Sequence, residues 1–295
     1  MSLNDISKLA QAIDWVEQRL DEANLYFGHG TDNARDEAAW LVLGALGLSF
    51  DINERDLQQE LSASDKLHIQ ELLTQRISGR LPLAYIFKQA WFCGLPFFVD
   101  ERVLIPRSPV AELIEERFEP WTQAESVKRI LDIGTGSGCI AIAAALSFPF
   151  AQVDAADISQ DAIDVARVNV EQHGLQHRVL LHCSNLFENV PKTKYDVIIA
   201  NPPYVDAEDM SALPAEYLHE PRQALEAGDD GLDLVRLIIE QSRDYLAKTG
   251  ILVVEVGNSQ AALESAYPEA PFTWLDFAYG GHGVFLLTAT QLDKL

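Results

Sequence analysis

The stretch that decides the fold reads Tyr195-Asp196-Val197-Ile198-Ile199-Ala200-Asn201-Pro202-Pro203-Tyr204. Its first six residues form a largely apolar, β-branched run of strand length, which is typical of a strand buried on both faces. The run stops at two consecutive prolines, which have no N–H group to donate to a β-ladder and cannot continue a central strand. The pattern predicts a buried strand that ends in a stiff turn, and ligands bind at this end of the strands in open α/β sheets.

The turn after this strand carries the groups that recognise a planar NH2 group. The Asn201 side-chain oxygen and the Pro202 carbonyl are acceptors for its two hydrogens. Pro203 keeps the residue before it extended, and the Tyr204 ring can lie against the flat face of the bound group. An ordinary strand-ending turn explains the same four residues about as well, because Asn, Pro and Tyr are common at strand ends.

The composition describes a globular protein with an acidic surface. The chain has 295 residues, of which 48% are hydrophobic and 23% charged, and its formal net charge is −23. A protein that binds nucleic acid through its phosphates needs the opposite charge balance, so we expect no direct DNA binding. An acidic surface favours encounter with basic partners, although acidity that serves solubility alone explains the charge equally well.

The sequence predicts a cytoplasmic protein without a membrane segment. Residues 1–5 have no basic region leading into an apolar core, so no signal peptide is expected. No apolar run approaches the ~18 residues that a membrane span requires. The three cysteines, Cys93, Cys139 and Cys183, stand alone in apolar surroundings, which indicates reduced core residues and no metal site.

Residues 1–88 show helical periodicity, with apolar residues recurring in runs that begin near Ile6, Ala34 and Ala63. From residue 84 to residue 105 the chain is aromatic and β-favouring, starting with Tyr85-Ile86-Phe87, which predicts a β-hairpin linker. After the hairpin, Ser108 as N-cap and Pro109 at the first helical position predict a helix over residues 110–118.

From residue 129 onward, strand and helix patterns alternate, which indicates a doubly wound parallel sheet. The predicted strands are residues 129–133, 152–157, 178–183, 195–200, 251–256, 272–277 and 284–288, and the predicted helices are residues 139–146, 159–173, 231–247 and 259–266. No helix fits between the last two strands, so we expect the final strand to be antiparallel.

A glycine-rich loop follows the first strand of this sheet and reads Asp132-Ile133-Gly134-Thr135-Gly136-Ser137-Gly138. Glycines there let the backbone turn sharply and let a ligand approach the main chain closely. The second strand ends at Asp157, about 20 residues further on, where a carboxylate can accept hydrogen bonds from ribose hydroxyls. A nicotinamide dinucleotide uses a similar loop, but its third glycine would fall at Cys139.

The glycine loop, the acidic end of the second strand and Asn-Pro-Pro-Tyr after the fourth strand resemble the class I S-adenosylmethionine-dependent methyltransferases. The resemblance implies an α/β fold with a seven-stranded, Rossmann-like sheet and an antiparallel last strand over about residues 106–295. Ile105-Pro106-Arg107, the hairpin, the helical N-terminal part and Ala224-Leu225-Glu226-Ala227-Gly228-Asp229-Asp230-Gly231-Leu232 are similar to the protein N5-glutamine methyltransferases.

Within that family the sequence is most similar to the branch that methylates large-subunit ribosomal protein L-three. The branch that acts on peptide-chain release factors reads Arg-Pro-x-Thr-Glu after the Ile-Pro, whereas this chain reads Arg107-Ser108-Pro109-Val110-Ala111-Glu112. Trp91-Phe92-Cys93-Gly94 and Val99-Asp100-Glu101-Arg102-Val103-Leu104 also resemble the ribosomal-protein branch. The implied partner is therefore a basic ribosomal protein, with a release factor as the alternative.

The resemblance implies three parts: a helical substrate-recognition domain over residues 1–88, a β-hairpin linker over residues 89–105 and a methyltransferase domain over residues 106–295. The implied cofactor is S-adenosylmethionine, with S-adenosylhomocysteine as product. The implied cofactor-binding residues are Asp132, Gly134, Thr135, Gly136, Ser137, Gly138, Asp157, Asn185, Leu186 and Asn201. Family members commonly have an aromatic residue where this chain has Leu186, which offers no ring to stack on the adenine.

The implied reaction transfers a methyl group to the amide nitrogen of a glutamine. Asn201 and Pro202 hold the two amide hydrogens, Tyr204 packs on the amide plane, and Pro203 completes the substrate site. These groups position the nitrogen, and the acceptors gain strength as positive charge develops on it. No His or carboxylate near the motif is identified as a general base. None is required, because the methylated nitrogen is acidic enough to lose a proton to water.

Three other functions are compatible with parts of the pattern. A DNA or RNA amino-methyltransferase uses the same tetrapeptide on a flipped base, but it needs a basic groove. A non-enzymatic scaffold on the same fold is a second alternative, against which the intact glycines, Asp157 and the tetrapeptide argue. A nicotinamide-dependent dehydrogenase is the third.

Overall fold

The computed structural model describes residues 3–295. Met1 and Ser2 lie outside the described residues. They belong to residues 1–5, where the sequence predicts no signal peptide. The chain divides into two compact units. The first unit runs to Ala90 and also includes Pro214–His219, and the second unit comprises Trp91–Leu213 and Glu220–Leu295.

The first unit is helical and contains α1 (Leu9–Glu22), α2 (Ala34–Ala45), α3 (Ala63–Gly79) and α4 (Leu83–Phe87). Ser62 caps α3, since its hydroxyl accepts a hydrogen bond from the Asp65 N–H at 3.2 Å. The β prediction for Tyr85-Ile86-Phe87 is wrong, because these residues form the end of α4.

The context of α4 explains this difference from the sequence prediction. Leu83 and Tyr85 are buried within the helical unit, and Phe87 packs so closely on α2 that a Cβ at Gly44 would lie 2.6 Å from its ring. Burial against other helices therefore overrides the local β preference of these aromatic residues.

A cluster of buried charged side chains joins Pro214–His219 to the first unit. The Arg76 guanidinium, on α3, contacts the Glu37 carboxylate and donates to Glu216 Oε1 at 3.1 Å. The Tyr26 N–H also donates to Glu216, at 3.2 Å. A charge taken out of water must be paired to be tolerated, so this cluster holds a segment that lies far along the chain from the helices.

The second unit begins with a two-stranded hairpin of β1 (Ala90–Phe92) and β2 (Leu95–Phe97), followed by α5 (Val110–Glu115). The hairpin is shorter than its predicted range. The predicted N-cap is displaced by one residue, since Pro109 occupies that position. The Ser108 hydroxyl nevertheless accepts a hydrogen bond from the Val110 N–H at 3.2 Å.

Seven strands form the main sheet of this unit, in the order β5-β4-β3-β6-β7-β9-β8. They are β3 (Arg129–Ile133), β4 (Gln152–Asp157), β5 (Val179–Cys183), β6 (Tyr195–Ala200), β7 (Leu246–Glu255), β8 (Thr273–Trp274) and β9 (Val284–Thr288). The first five are parallel, and β9 is antiparallel to both of its neighbours. This confirms the predicted α/β fold with an antiparallel last strand.

Helices cover both faces of the sheet. The helices that follow α5 are α6 (Cys139–Ser147), α7 (Gln160–Gln172), α8 (Ala207–Ala212), α9 (Asp233–Tyr245), α10 (Gln260–Ala266) and α11 (Ala289–Leu292), of which α8 has no buried residue. One apolar core lies between the sheet and α5 with α6, and a second lies between the sheet and α9. Burial on both faces explains why the central strands are almost wholly apolar in sequence.

Two details of the sheet differ from the sequence prediction. β7 begins at Leu246, five residues before the predicted start, and β8 has only two residues. Cys183 is exposed rather than in the core, because it ends β5, which is an edge strand. No helix within residues 3–295 has the length and apolar character to cross a membrane, and that range contains no cluster of three or more metal-ligating side chains.

Candidate active site

Strand register brings the two motifs together at one edge of the sheet. β3 and β6 are parallel neighbours, and Ile133 is paired with Ala200. The residues that follow, Gly134 and Asn201, therefore start their loops side by side. A Cβ at Gly134 would lie 3.4 Å from the Asn201 carbonyl oxygen, so the glycine loop and the Asn-Pro-Pro-Tyr turn are in van der Waals range.

The glycine loop is held by hydrogen bonds to the neighbouring strand. The N–H groups of Gly134 and Thr135 both donate to the Ala156 carbonyl, at 2.8 and 3.0 Å. A Cβ at Gly136 would meet no protein atom within 4 Å. The loop is thus anchored on the β4 side while the backbone at Gly136 faces open space.

Asp157 ends β4 and is joined to the same loop. Its Oδ2 accepts from the Gly136 N–H and its Oδ1 accepts from the Ser159 N–H, both at 2.9 Å. Burial raises the pKa of this carboxyl, and the two backbone bonds oppose that rise. Each carboxylate oxygen has a second lone pair, so Asp157 keeps acceptor capacity for hydroxyl groups of a ligand.

Asp132 lies beneath the loop and is fully buried at the end of β3. The Thr135 hydroxyl donates to its Oδ2 at 2.6 Å. Burial raises the pKa of Asp132 to about 7, against the effect of the Thr135 bond, and the nearby Asp157 charge adds to the rise. Asp132 therefore supports the loop from inside, and it does not line the cavity described below.

The raised pKa of Asp132 predicts a pH-dependent stability that Asp132→Asn removes. The folded protein keeps this proton to about pH 7, whereas the unfolded chain releases it near the ordinary pKa of 3.8. The folded state therefore binds more protons within this window, and the free energy of unfolding falls as the pH rises. At about 1.4 kcal/mol per pKa unit, we expect a loss on the order of 4 kcal/mol.

Urea unfolding of wild type and Asp132→Asn between about pH 4 and pH 8 measures this effect, since the shift of one pKa is confined to that window. Carboxyls distant from Asp132 titrate equally in both proteins and cancel in the difference, whereas Asp157, whose charge interacts with Asp132, contributes to it. The stability of wild type relative to the variant should decline across the window. A difference that does not change with pH contradicts the buried, proton-holding state of Asp132.

A cavity of about 610 Å³ opens at this edge of the second unit. Most of the predicted site residues line it: Gly134, Thr135, Gly136, Ser137, Asp157, Asn185, Leu186, Asn201, Pro202 and Pro203. Three predicted residues, Asp132, Gly138 and Tyr204, are not part of its lining. The other walls come from the segment Arg102–Ser108 and from residues 221–228, which include part of the Ala224–Leu232 motif.

The loop after β5 brings Asn185 and Leu186 to the cavity, because Asp157 and Cys183 are paired in the register of β4 and β5. The Asn185 amide donates to Glu188 Oε1 at 3.0 Å. Leu186 has a φ of 47°, an uncommon conformation for a residue other than glycine. The adjacent Phe187 is turned away into the core, where its ring packs against Tyr245.

Tyr204 is directed toward the end of β7 rather than into the cavity. Its hydroxyl donates to Glu255 Oε1 at 2.9 Å, and the Ser259 hydroxyl donates to the Tyr204 carbonyl at 2.8 Å. The ring lies so close to Gly257 that a Cβ there would be 2.5 Å from Cε2. The other oxygen of Glu255 accepts from the Ser108 hydroxyl at 2.5 Å.

Glu255, Gly257 and Ser259 are absent from the predicted site, although one signal in the sequence was available. Glu255 is an acidic residue at the end of a buried apolar run, and Ala200 is paired with Val254. Residues 201 and 255 therefore lie next to each other at the same edge of the sheet. Burial raises the pKa of Glu255, while the Ser108 and Tyr204 hydroxyls stabilise its charged form.

Two further polar residues that sequence reasoning missed fix the walls of the cavity. Asn169, fully buried on α7, donates from its amide to the Ser137 and Phe98 carbonyls at 2.8 and 2.9 Å. Glu220 receives a two-pronged ion pair from Arg107, at 2.5 and 2.7 Å. Both side chains are buried and polar, and neither belongs to a recognisable sequence motif. Their role is therefore evident only from their contacts in the structure.

Comparison with known proteins places the chain among methyltransferases. The model of the methyltransferase small domain family matches residues 116–231. A ribosomal protein uL3 glutamine methyltransferase of Francisella tularensis is 46% identical over 293 residues, which cover 99% of this chain and 93% of the relative. The enzyme of the same name from Bordetella pertussis is 46% identical over 290 residues, covering 98% of this chain and 97% of the relative.

Solved structures are more distant. A methyltransferase from Pyrococcus furiosus is 18% identical and has a TM-score of 0.49, over 66% of this chain and 89% of that one.

Proposed function

Because this chain belongs to the family of ribosomal protein uL3 glutamine methyltransferases, we propose that it methylates the side-chain amide nitrogen (N5) of a glutamine in uL3, the L-three protein of the large ribosomal subunit. The observation that carries this proposal is the register of β3 and β6. Since Ile133 is paired with Ala200, the register sets Asn201 beside the glycine loop in one cavity.

S-adenosylmethionine is the proposed cofactor, and the residues of the cavity fit it. The open space at Gly136 leaves room for a ligand against the main chain. Asp157 retains acceptor capacity for ribose hydroxyls, and Asn185 with Leu186 lines the adjoining wall. When bound, S-adenosylmethionine supplies an electrophilic methyl carbon on a sulfonium.

The acceptor amide is proposed to bind through Asn201 and Pro202, both of which line the cavity. A carboxamide nitrogen is a weak nucleophile because its lone pair is delocalised into the carbonyl. Two acceptors on the amide hydrogens, one from the Asn201 side chain and one from the Pro202 carbonyl, orient the nitrogen. They bind it more strongly as positive charge develops during transfer. Positioning of this kind contributes on the order of 7 to 11 kcal/mol.

No general base is required in this proposal. Glu255 is the carboxylate that the structure brings to the motif, but its two oxygens accept from the hydroxyls of Ser108 and Tyr204. It is also 5% exposed and does not line the cavity. Water takes the proton after methylation.

The charge of the chain and its helical unit support a protein substrate. A formal net charge of −23 complements a basic ribosomal protein and opposes a nucleic-acid substrate. We assign docking of the acceptor to the helical unit, as a substrate-recognition domain over residues 1–88, with the hairpin as linker and residues 106–295 as the methyltransferase domain. Since its substrate is a component of the ribosome, the proposed site of action is the cytoplasm.

A methyl-transfer assay tests the function. The purified protein is incubated with S-adenosylmethionine and, in separate reactions, with unmethylated uL3, a peptide-chain release factor and duplex DNA. We expect mass spectrometry to show one added methyl group on one glutamine-bearing peptide of uL3. A uL3 variant with glutamate in place of that glutamine is the matched control and should stay unmodified. Methylation of the release factor or DNA in preference to uL3 would refute the proposed substrate.

A further inference from the structure

Tyr204 is held from three sides by the segment Glu255–Ser259, which directly follows the apolar part of β7. Glu255 accepts from its hydroxyl, Gly257 lies against its ring, and Ser259 binds its carbonyl. These three contacts restrain the end, the face and the backbone of one residue. A side chain restrained in this way has little rotational freedom left.

The environment of Glu255 is built for this contact. The carboxyl is buried, and its second oxygen is bonded to the Ser108 hydroxyl at 2.5 Å. Ser108 in turn accepts from the Val110 N–H at the start of α5. The cavity wall at Ser108 and the Tyr204 ring are therefore joined through a single carboxylate, and a fully satisfied buried network of this kind rigidifies its members.

We propose that Glu255 is a positioning residue for methyl transfer, acting through the Tyr204 hydroxyl to fix the turn that carries the Asn201 and Pro202 acceptors. The inference rests on the proposed function and extends it to a residue outside the tetrapeptide. Glu255 does not touch the substrate. Its effect is on the position of the two acceptors, because Tyr204 closely follows them in the chain and is held at its hydroxyl, its ring and its carbonyl.

The position of Glu255 in the sheet supports this role. The register of β6 and β7 pairs Ala200 with Val254, so Asn201 and Glu255 leave adjacent strands at the same level. A tyrosine three residues after Asn201 can thus reach back to the neighbouring strand end. Glu255 is the last residue of a strand, which holds a side chain more precisely than a loop does.

A double-mutant cycle between Glu255→Leu and Tyr204→Phe tests the inference. Tyr204→Phe leaves one oxygen of the buried Glu255 without its bond, and Glu255→Leu leaves the Tyr204 and Ser108 hydroxyls without their acceptor. The double variant removes both partners of the Tyr204–Glu255 bond, which the cycle isolates because the loss at Ser108 is common to both backgrounds. We expect Glu255→Leu to lower kcat on uL3 by about 10- to 100-fold, the loss of one hydrogen bond to a charged group. In the Tyr204→Phe background the same change should have less than about a threefold further effect.

Two measurements separate positioning from a general loss of structure. The affinity for S-adenosylmethionine, measured by calorimetry, should stay within about twofold of wild type in every variant, because none of the replaced groups lines the cofactor part of the cavity. Glu255→Gln keeps an acceptor for the Tyr204 hydroxyl and should recover most of the turnover. The exposed Glu269→Gln is the matched control, and its kcat and KM should be those of wild type.

The outcomes are distinct. The wild-type protein must first be active on uL3. If the fold-loss of kcat in the double variant then equals the product of the two single losses, Glu255 does not act through Tyr204 and the inference is overturned. If Glu255→Leu fails to fold, Tyr204→Phe decides alone, because it removes the same hydrogen bond. A kcat of Tyr204→Phe at the wild-type value then overturns the inference. A wild-type protein without activity on uL3 overturns the proposed function, and the inference with it.

Discussion

Replacing Asn201 by alanine should lower the turnover of uL3 methylation by about 100- to 1,000-fold while leaving the binding of S-adenosylmethionine nearly unchanged. The variant removes the side-chain acceptor for one amide hydrogen, and Asn201 lines the cavity beside the glycine loop. The acceptor is most valuable in the transition state, where the nitrogen gains positive charge. The loss should therefore appear in kcat at saturating cofactor rather than in the cofactor affinity.

Asn185→Ala is the matched comparison for this experiment. Asn185 also lines the cavity, but on the wall formed by the loop after β5. Its removal should raise the KM for the cofactor with little change in kcat, which is the opposite pattern. Turnover of Asn201→Ala near the wild-type value at saturating cofactor would show that the acceptor amide is not held by Asn201.

The grouping of the motif residues at one edge of the sheet was predictable from the pattern of apolar runs in the sequence. Apolar runs indicate where the parallel strands lie along the chain, and the motif residues are found at the ends of those runs. Gly134, Asp157 and Asn201 are each the first residue after, or the last residue of, a central strand. Since parallel strands end at one edge, their proximity follows once the alternation of strands and helices is recognised.

The orientation of Tyr204 was not predictable from the same reasoning. A ring after two prolines can face the bound amide or the neighbouring strand, and the local sequence does not choose between them. The choice depends on Glu255 and Gly257, which are over fifty residues away along the chain and are contacts of tertiary structure. The sequence around Tyr204 cannot reveal that Glu255 is its partner, because that contact depends on the register of β7 beside β6.

Buried charge is the second feature that sequence patterns do not show. Glu216 lies in the short segment Pro214–His219, which has no apolar periodicity to indicate burial. It is nevertheless 1% exposed, because Arg76 and the Tyr26 N–H provide its partners within the helical unit. Such pairs reverse the usual rule that charged residues are exposed. For this reason the segment Pro214–His219 could not be assigned to the helical unit from sequence.

Gly283→Ala should be among the most destabilising single substitutions in the second unit. A Cβ at this position would lie 2.2 Å from the Gly257 carbonyl oxygen and 2.7 Å from its Cα and nitrogen. These are backbone atoms, so no change of rotamer relieves the overlap. The adjoining hydrogen bond from the Val256 N–H to the Gly283 carbonyl, at 2.7 Å, ties the same two segments together.

Gly280→Ala in the same turn provides the matched control. Both glycines have positive φ, 69° at Gly283 and 89° at Gly280, but a Cβ at Gly280 would meet no atom within 4 Å. The control therefore carries only the backbone cost of a left-handed conformation, about 1 to 2 kcal/mol. Gly283→Ala adds overlap with a packed backbone, so its total should reach about 3 kcal/mol or more.

Urea unfolding of the two variants measures the difference, and methyl transfer by the folded fraction measures its consequence. Gly257 is also the residue on which the Tyr204 ring rests, so a backbone displaced at Gly257 moves that ring. We therefore expect Gly283→Ala to lose turnover in addition to stability, whereas Gly280→Ala should keep its turnover. Equal stability of the two variants would mean that the turn accommodates the Cβ without displacing Gly257. The close contact of Gly283 with Gly257 would then not determine the position of the Tyr204 ring.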